Sequence, residues 1–348
     1  MIEVENLVKR YGDRLAVDHL SFQVEPGKIY GFLGPNGAGK STTMNIMTGY
    51  IAATEGSVKI NGHDIVKDAE EAKKCIGYLP EIPPVYQDMT VGEYLNFVAD
   101  LKKIAKSERK EQIKEVMELT MISDIQSRLI KNLSKGYKQR VGLAQAVLGY
   151  PDVIILDEPT VGLDPKQIIE IRDLIKKLGE KHTIILSSHI LSEVQAVCDE
   201  IMIISRGKLV ACDTPEGLTG LMNGSIQLET GILGTEGKVE GVIKKLNRIQ
   251  KYHFESCNEK GCVKVIIETD ANDDIRSELF YALAKEKLPI MSMNRLEKSL
   301  EDVFLELTGS GIDQDEMEEK KSAKKLSSVK KKSSKKKNEG GQSDGGNL

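Results

Sequence analysis

Gly34-Pro35-Asn36-Gly37-Ala38-Gly39-Lys40-Ser41-Thr42 follows an apolar run, Lys28 to Leu33, that is typical of a buried strand. Its spacing, a glycine, four residues and then Gly-Lys-Ser, is that of a phosphate-binding P-loop. Glycines let the backbone N–H groups turn inward, and the N-terminus of a following helix favours negative charge. We therefore predict a nucleotide site in which Lys40 reaches the β- and γ-phosphates and Ser41 binds Mg²⁺. A glycine-rich turn without a ligand is the alternative.

A second chemical signal is the segment Val153-Ile154-Ile155-Leu156-Asp157-Glu158, an apolar run that ends in two adjacent carboxylates. The run fits a buried parallel strand, and ligand sites in such sheets lie at the carboxyl ends of the strands. We expect Asp157 to hold Mg²⁺ through a water molecule and Glu158 to polarise the attacking water. Taken alone, Asp-Glu-Pro at the end of a strand more often marks only the start of a solvated loop.

The organisation of the chain changes near residue 214. Up to that point, short β-branched runs alternate with amphipathic stretches, which predicts an α/β fold with a mostly parallel sheet. After Asp213-Thr214-Pro215, a small α+β domain is expected over residues 215–310, and from residue 311 to 348 we predict a disordered Lys-rich tail. The predicted strands of the α+β domain cover residues 226–230, 251–256 and 263–269, and its predicted helices cover residues 236–248, 273–287 and 298–308.

Composition excludes several classes of protein. The 348 residues carry a net charge of -4, although residues 320–337 contain ten lysines and no acidic residue. The rest of the chain is therefore acidic, which disfavours a protein whose whole surface binds nucleic acid. No apolar run approaches the roughly 18 residues that cross a bilayer, and we do not expect a signal peptide at the N-terminus. Five cysteines without paired short spacings suggest free thiols in the cytosol.

Further short segments occur in a fixed order along residues 2–215. They are Leu133-Ser134-Lys135-Gly136-Tyr137, Asp157-Glu158, Gly162-Leu163-Asp164 and Ser187-Ser188-His189. With the P-loop before them, they make this part of the chain resemble the ATPases of the ATP-binding-cassette (ABC) family. The resemblance implies a P-loop NTPase cassette at residues 1–214, with an antiparallel β subdomain and a helical subdomain at about residues 82–150. It also implies ATP and Mg²⁺ as cofactors.

The resemblance assigns roles to matching residues. Tyr11 corresponds to the aromatic residue that stacks on adenine, and His189 to the histidine that contacts the γ-phosphate and aligns the catalytic glutamate. Ser134 and Gly136 correspond to the signature motif, which contacts a nucleotide bound to the opposite protomer. Asp164 corresponds to the loop at the dimer interface. Ser134 also fits a helix N-cap, and Asp164 an Asp-Pro helix start.

Two positions depart from the family pattern. Lys135 replaces the glycine that usually follows the signature serine, which adds a positive charge near the expected phosphate. Glu81 stands where a glutamine is usual, and its carboxylate can still face Mg²⁺ or water. Neither change removes Lys40 or Glu158, so we expect an active ATPase.

The implied function is the ATP-hydrolysing subunit of a transporter, which pairs with a second cassette and with a separate multi-span permease. The segment Leu296 to Leu305 is similar to the end of drug, lipid and polysaccharide exporter cassettes, so export is the expected direction. This places the chain on the cytoplasmic face of the membrane. Four apolar residues fit either a permease-facing groove or the core: Val91, Tyr94, Leu95 and Val98.

A non-transport cassette that remodels nucleic acid or ribosomes is the alternative. The lysine tail alone favours it, since the chain lacks a second cassette and a long coiled-coil insertion, and nucleic acid is not expected as a partner. A third hypothesis makes residues 216–310 a small-ligand sensor.

Overall fold

The computed structural model describes residues 1–221, 225–257, 261–270, 274–296 and 300–309. The chain forms two units, Met1–Val303 and Phe304–Leu348. The predicted Lys-rich tail lies outside the described residues, and the domain borders at residues 214 and 310 stay a prediction. Within the described residues, no helix is both long and apolar enough to cross a bilayer. The five cysteines all lie among the described residues and form no disulfide.

Six strands build the central sheet. They are β3 (Ile29–Leu33), β6 (Ile76–Leu79), β7 (Val153–Asp157), β8 (Thr183–Ser188), β9 (Glu200–Ser205) and β10 (Lys208–Asp213). Their order is β10-β9-β3-β8-β7-β6, and all neighbours are parallel except β10 and β9. Every residue of β3, β7 and β8 is buried, as their apolar runs predicted. Because β8 lies between β3 and β7, the carboxyl ends of these three strands meet at one edge.

The strands of an antiparallel sheet lie before and after the P-loop in the sequence. Its strands are β1 (Ile2–Tyr11), β2 (Arg14–Val24), β4 (Glu55–Ile60) and β5 (His63–Asp64), in the order β2-β1-β4-β5. Its inward side chains, such as Leu7 and Val24, share one apolar cluster with Phe32 and Met44. This packing fixes the turn between β1 and β2 relative to the P-loop.

Helices alternate with the strands along this part of the chain. They are α1 (Lys40–Met47), α2 (Ala69–Lys74), α3 (Val91–Leu101), α4 (Lys106–Leu119), α5 (Lys135–Val147), α6 (Pro165–Gly179), α7 (Leu191–Val197) and α8 (Pro215–Leu221). Two 3₁₀ turns, Ser123–Ile125 and Ile130–Asn132, separate α4 from α5.

Of the two alternatives for four apolar residues of α3, packing in the core is confirmed. The helix begins at a capping box made by Thr90 and Glu93, and its apolar stripe turns inward. The four residues pack in the core and are no more than 6% exposed: Val91, Tyr94, Leu95 and Val98.

A third sheet follows α8. Its strands are β11 (Ser225–Leu233), β12 (Ile249–Glu255), β13 (Cys262–Asp270) and β14 (Ile290–Leu296), in the antiparallel order β12-β13-β11-β14. Helices α9 (Glu236–Ile243) and α10 (Arg276–Lys285) bury Val239 and Leu279 in one cluster with Ile232 and Ile267, and α11 (Leu300–Gly309) follows. The three predicted strands and three helices are confirmed. Strand β14 was not predicted, because Met, Ser, Asn and Arg interrupt any β-branched run.

Candidate active site

The P-loop joins β3 to α1 through a backbone that requires glycine at two points. Gly37 and Gly39 have φ of 81° and 105°, a region that L side chains avoid. A Cβ on Gly39 would also lie 2.5 Å from the Ala16 carbonyl oxygen. The Ala38 N–H donates to the Pro35 carbonyl at 3.1 Å, which closes the turn. The loop therefore has the curled shape that a phosphate needs, and the predicted P-loop is confirmed as a structure.

Lys40, the first residue of α1, folds back over this loop. Its Nζ donates to the Gly34 carbonyl at 2.7 Å and to the Pro35 carbonyl at 3.3 Å, and its side chain is 5% exposed. Nζ also lies 3.6 Å from Oε1 of Glu158. Burial lowers the pKa of the Lys40 ammonium below its ordinary value, while Glu158 and Asp157 act in the opposite direction. An anionic ligand in this loop would add further negative charge beside the buried cation.

Asp157 ends β7 beside the start of α1. The Ser41 hydroxyl donates to its Oδ1 at 3.2 Å, and the Ser187 hydroxyl of β8 donates to the same oxygen at 2.5 Å. Hydroxyl and carboxylate oxygens are the donors that Mg²⁺ takes in nucleotide sites. The pair Ser41 and Asp157 therefore fits the ion as the sequence predicted.

Glu158 is held in an unusual backbone conformation, with φ of 49°. Its N–H donates to Oγ of Ser187 at 2.9 Å, which fixes the turn at the end of β7. The side chain is only 9% exposed, and Nδ1 of His189 donates to Oε2 at 3.0 Å. The carboxylate thus lies between the Lys40 ammonium and an imidazole, and the predicted base and histidine are brought together.

A cavity of about 540 Å³ opens over these groups. Its volume falls within the range of ligand pockets. The lining residues are Tyr11, Arg14, Ala16, Asn36, Gly37, Gly39, Lys40, Ser41, Thr42, Glu81, Glu158, Val161 and His189. Ten of these were predicted from the sequence, and Glu81 is among them despite its departure from the family pattern.

The turn between β1 and β2 forms one wall of this cavity. Tyr11 is half exposed, and the Lys9 Nζ lies 5.2 Å from its ring centroid. Arg14 pairs with Tyr11 in the strand register, and its guanidinium lies 3.5 Å from where a Cβ of Gly37 would be. Arg14, Ala16 and Val161 line the cavity but were not predicted from the sequence. The one signal for Arg14 in the sequence is its position three residues after Tyr11, the residue expected to stack on adenine.

Seven predicted residues do not line this cavity: Gly34, Pro35 and Ala38 belong to the P-loop itself, Asp157 contacts Ser41, and Ser134, Gly136 and Asp164 lie in other segments. Ser134 caps α5 by accepting from the Tyr137 N–H at 3.4 Å, and Asp164 caps α6 by accepting from the Gln167 N–H at 2.9 Å. Gly136 is buried against the Gln167 side chain. Both helix-cap alternatives are thus confirmed. The roles of Ser134, Gly136 and Asp164 toward a second protomer stay a prediction.

Comparisons with known proteins identify the family. A model of the ABC transporter family matches residues 17–161. The bacitracin transport ATP-binding protein BcrA of Bacillus licheniformis is 35% identical over 313 residues, 89% of this chain and 98% of that protein. The linearmycin resistance ATP-binding protein LnrL of Bacillus subtilis is 30% identical over 310 residues, 89% and 98% of the two chains.

Solved structures agree with this result. The dimeric, post-hydrolysis cassette MJ0796 bound to ADP and Pi superposes with a TM-score of 0.56 at 25% identity, over 62% of this chain and 98% of that one. An ATP-binding subunit of an ABC transporter superposes with a TM-score of 0.59 at 29% identity, over 64% and 92% of the two chains. The chain therefore belongs to the ABC transporter family, as an ATP-binding subunit that hydrolyses ATP with Mg²⁺.

Proposed function

We propose that this subunit powers export through a separate membrane permease, with Glu158 as the catalytic base. The observation that supports the chemistry is the convergence of Lys40, Glu158 and His189 on one cavity above the P-loop. Export is supported by two relatives, a bacitracin transport protein and a linearmycin resistance protein. Subunits of this family dimerise and work with membrane permease components, which supports a position of this chain at the membrane through such a partner.

Separate groups at the site bind the phosphates, the base and the metal ion in this proposal. The N–H groups of the P-loop and the Lys40 ammonium hold the β- and γ-phosphates, and Arg14 adds a second positive charge at the cavity wall. Tyr11 offers an aromatic face to the adenine base. Ser41 and Asp157, with Glu81 nearby, would hold Mg²⁺, and the ion would supply positive charge to the transferred phosphoryl group. These contacts leave the attacking water as the one reactant that still needs activation.

Glu158 supplies that activation. Its carboxylate accepts a proton from the water as the water oxygen attacks the γ-phosphorus and the bond to the β-phosphate oxygen breaks. His189 donates to Oε2 and so keeps the other oxygen, Oε1, directed toward the reactants. Lys40, 3.6 Å from Oε1, must release this carboxylate toward the water when phosphate charge arrives.

A second copy completes each site in this proposal. Ser134, Gly136 and Asp164 lie outside the cavity of their own chain, and a head-to-tail partner brings them to the open side of the nucleotide. The hydroxyl and helix N-terminus at Ser134 favour a phosphate at that point. Closure would follow ATP binding, and loss of the γ-phosphate would let the dimer open.

Glu158→Gln tests the chemistry. The amide cannot accept the proton, so we expect turnover to fall about 100-fold or more while ATP binding persists. Glu200→Gln is a matched control, because Glu200 lies outside the cavity and pairs with Lys28 at 2.7 Å. Normal turnover by the Glu158→Gln variant would remove Glu158 from the role of base.

Co-purification in mild detergent tests the partner. We expect a multi-span membrane protein to be recovered with the tagged full-length chain, and its recovery to change with nucleotide. Recovery only with ribosomal proteins or nucleic acid, lost on deleting residues 311–348, would contradict the transport proposal and favour a remodelling ATPase.

A further inference from the structure

Glu193, in the first turn of α7, is a buried carboxylate with no part in the chemistry described above. Its side chain is 5% exposed. Its Oε2 accepts a hydrogen bond from the Thr160 hydroxyl and another from the Ser188 hydroxyl, the latter at 3.3 Å. Thr160 and Ser188 are themselves 5% and 1% exposed. Burying a carboxylate is costly, so this arrangement needs a compensating role.

The two hydroxyls belong to the two loops that carry the reacting groups. Thr160 lies two residues after Glu158, in the turn that leaves β7. Ser188 immediately precedes His189 at the end of β8, and its Oγ also accepts from the Ile190 N–H at 3.0 Å. A single carboxylate oxygen therefore joins the loop of the base to the loop of the histidine.

A second connection between the same loops shows what Glu193 adds. Ser187 fixes the backbone at Glu158 through the 2.9 Å bond from the Glu158 N–H. That bond does not restrain the residues beyond Glu158, nor the His189 side chain, which is 41% exposed. The bonds to Glu193 restrain Thr160, two residues beyond Glu158, and Ser188, the neighbour of His189, so each restraint lies close to a reacting residue.

We propose that Glu193 is a positioning residue that keeps the His189 imidazole and the Glu158 carboxylate at hydrogen-bond distance. This inference rests on the proposed roles of Glu158 and His189. Loss of the carboxylate frees both loops, and a displacement of about 1 Å at a reacting group costs about 100-fold in rate. The phosphate contacts of the P-loop do not involve Glu193, so nucleotide affinity is unaffected.

Steady-state ATP hydrolysis by the full-length chain tests this proposal. We expect Glu193→Ala to lower kcat about 100-fold, with KM and ATP affinity unchanged. Glu193→Gln should recover most of this loss, because one amide oxygen can accept both hydroxyls. Equal kcat values for the alanine variant and the original protein would overturn the proposal.

A second variant covers the case in which Glu193→Ala does not fold. Thr160→Val removes one of the two hydroxyls, and it should lower kcat about tenfold at unchanged KM. Thr120→Val is the matched control, because Thr120 is fully buried and donates to the Val116 carbonyl at 2.8 Å, outside the cavity. Equal losses of kcat in the two valine variants would show that buried hydroxyls matter only for packing, and would overturn the proposal.

A double-mutant cycle separates positioning from stability. If Glu193 acts through His189, the variant Glu193→Ala, His189→Ala should be no slower than His189→Ala alone. A kcat loss in the double variant equal to the product of the two single losses would contradict the proposal.

Glu158→Gln, measured in parallel, distinguishes an error in the proposed base from an error in the proposed positioning residue. Normal hydrolysis by that variant overturns the proposed base, whereas its failure to hydrolyse beside a fully active Glu193→Ala variant overturns only the positioning role.

Discussion

Replacing Gly39 with alanine tests whether the P-loop requires its observed backbone. Alanine with a φ of 105° has a strained backbone, and an L residue in the left-handed region lowers the stability by roughly 1–2 kcal/mol. The new Cβ would lie 2.5 Å from the Ala16 carbonyl oxygen, closer than the carbon–oxygen contact of about 3.3 Å. Overpacking of this kind costs about 1–3 kcal/mol. We therefore expect Gly39→Ala to destabilise the protein by about 2–5 kcal/mol.

Gly12→Ala is the matched control. Gly12 also has positive φ, 57°, but no atom lies within 4 Å of its would-be Cβ. The control should therefore lose only the backbone part, about 1–2 kcal/mol. Urea unfolding gives the stability of both variants, and titration with a fluorescent ATP analogue gives their affinity. We expect Gly39→Ala alone to weaken nucleotide binding at least tenfold. Equal stability and equal affinity for the two variants would refute the packing argument.

Three further predictions concern other parts of the molecule. His189→Ala should lower kcat about 100-fold at unchanged ATP affinity, and an unchanged kcat would remove the imidazole from the reaction. In the native protein, maleimide should label exposed Cys212 well before buried Cys198, whose thiol pKa is raised by burial; the reverse order by mass spectrometry would contradict the structure. Burial raises the pKa of Tyr94 to about 12, so stability is lost as the pH rises from about 10 to 12, and Tyr94→Phe should flatten that part of the urea-unfolding profile. An unchanged slope would contradict the burial of this phenol.

The parts of the site that the sequence predicted are those encoded locally. The P-loop combines glycines, a lysine and a hydroxyl within nine residues after an apolar strand, so its conformation follows from a short segment. Asp157 and Glu158 end a strand whose burial its own apolar run indicates. Their meeting with Lys40 then follows from the rule that ligands bind at the carboxyl ends of parallel strands.

The parts that escaped prediction depend on contacts between distant segments. Arg14 reaches the cavity because the β1 and β2 strands pack against the P-loop, and its position three residues after Tyr11 does not by itself show that contact. Glu193 lies on α7 and binds Thr160 from a different strand–loop unit. The apolar stripe of α3 has the same pattern whether it faces a partner or the core. Only the tertiary structure shows that Leu95 is fully buried.

The dimeric state of the Glu158→Gln variant in MgATP and in MgADP tests the central claim most directly. Slow hydrolysis should leave ATP between the two copies, so sedimentation velocity should show a dimer in MgATP and a monomer in MgADP. Ser134→Ala in the same background should weaken the dimer, because Ser134 is proposed to contact the nucleotide of the opposite copy. A monomer in both nucleotides, together with ATP binding at full affinity, would contradict a mechanism in which two copies close around ATP.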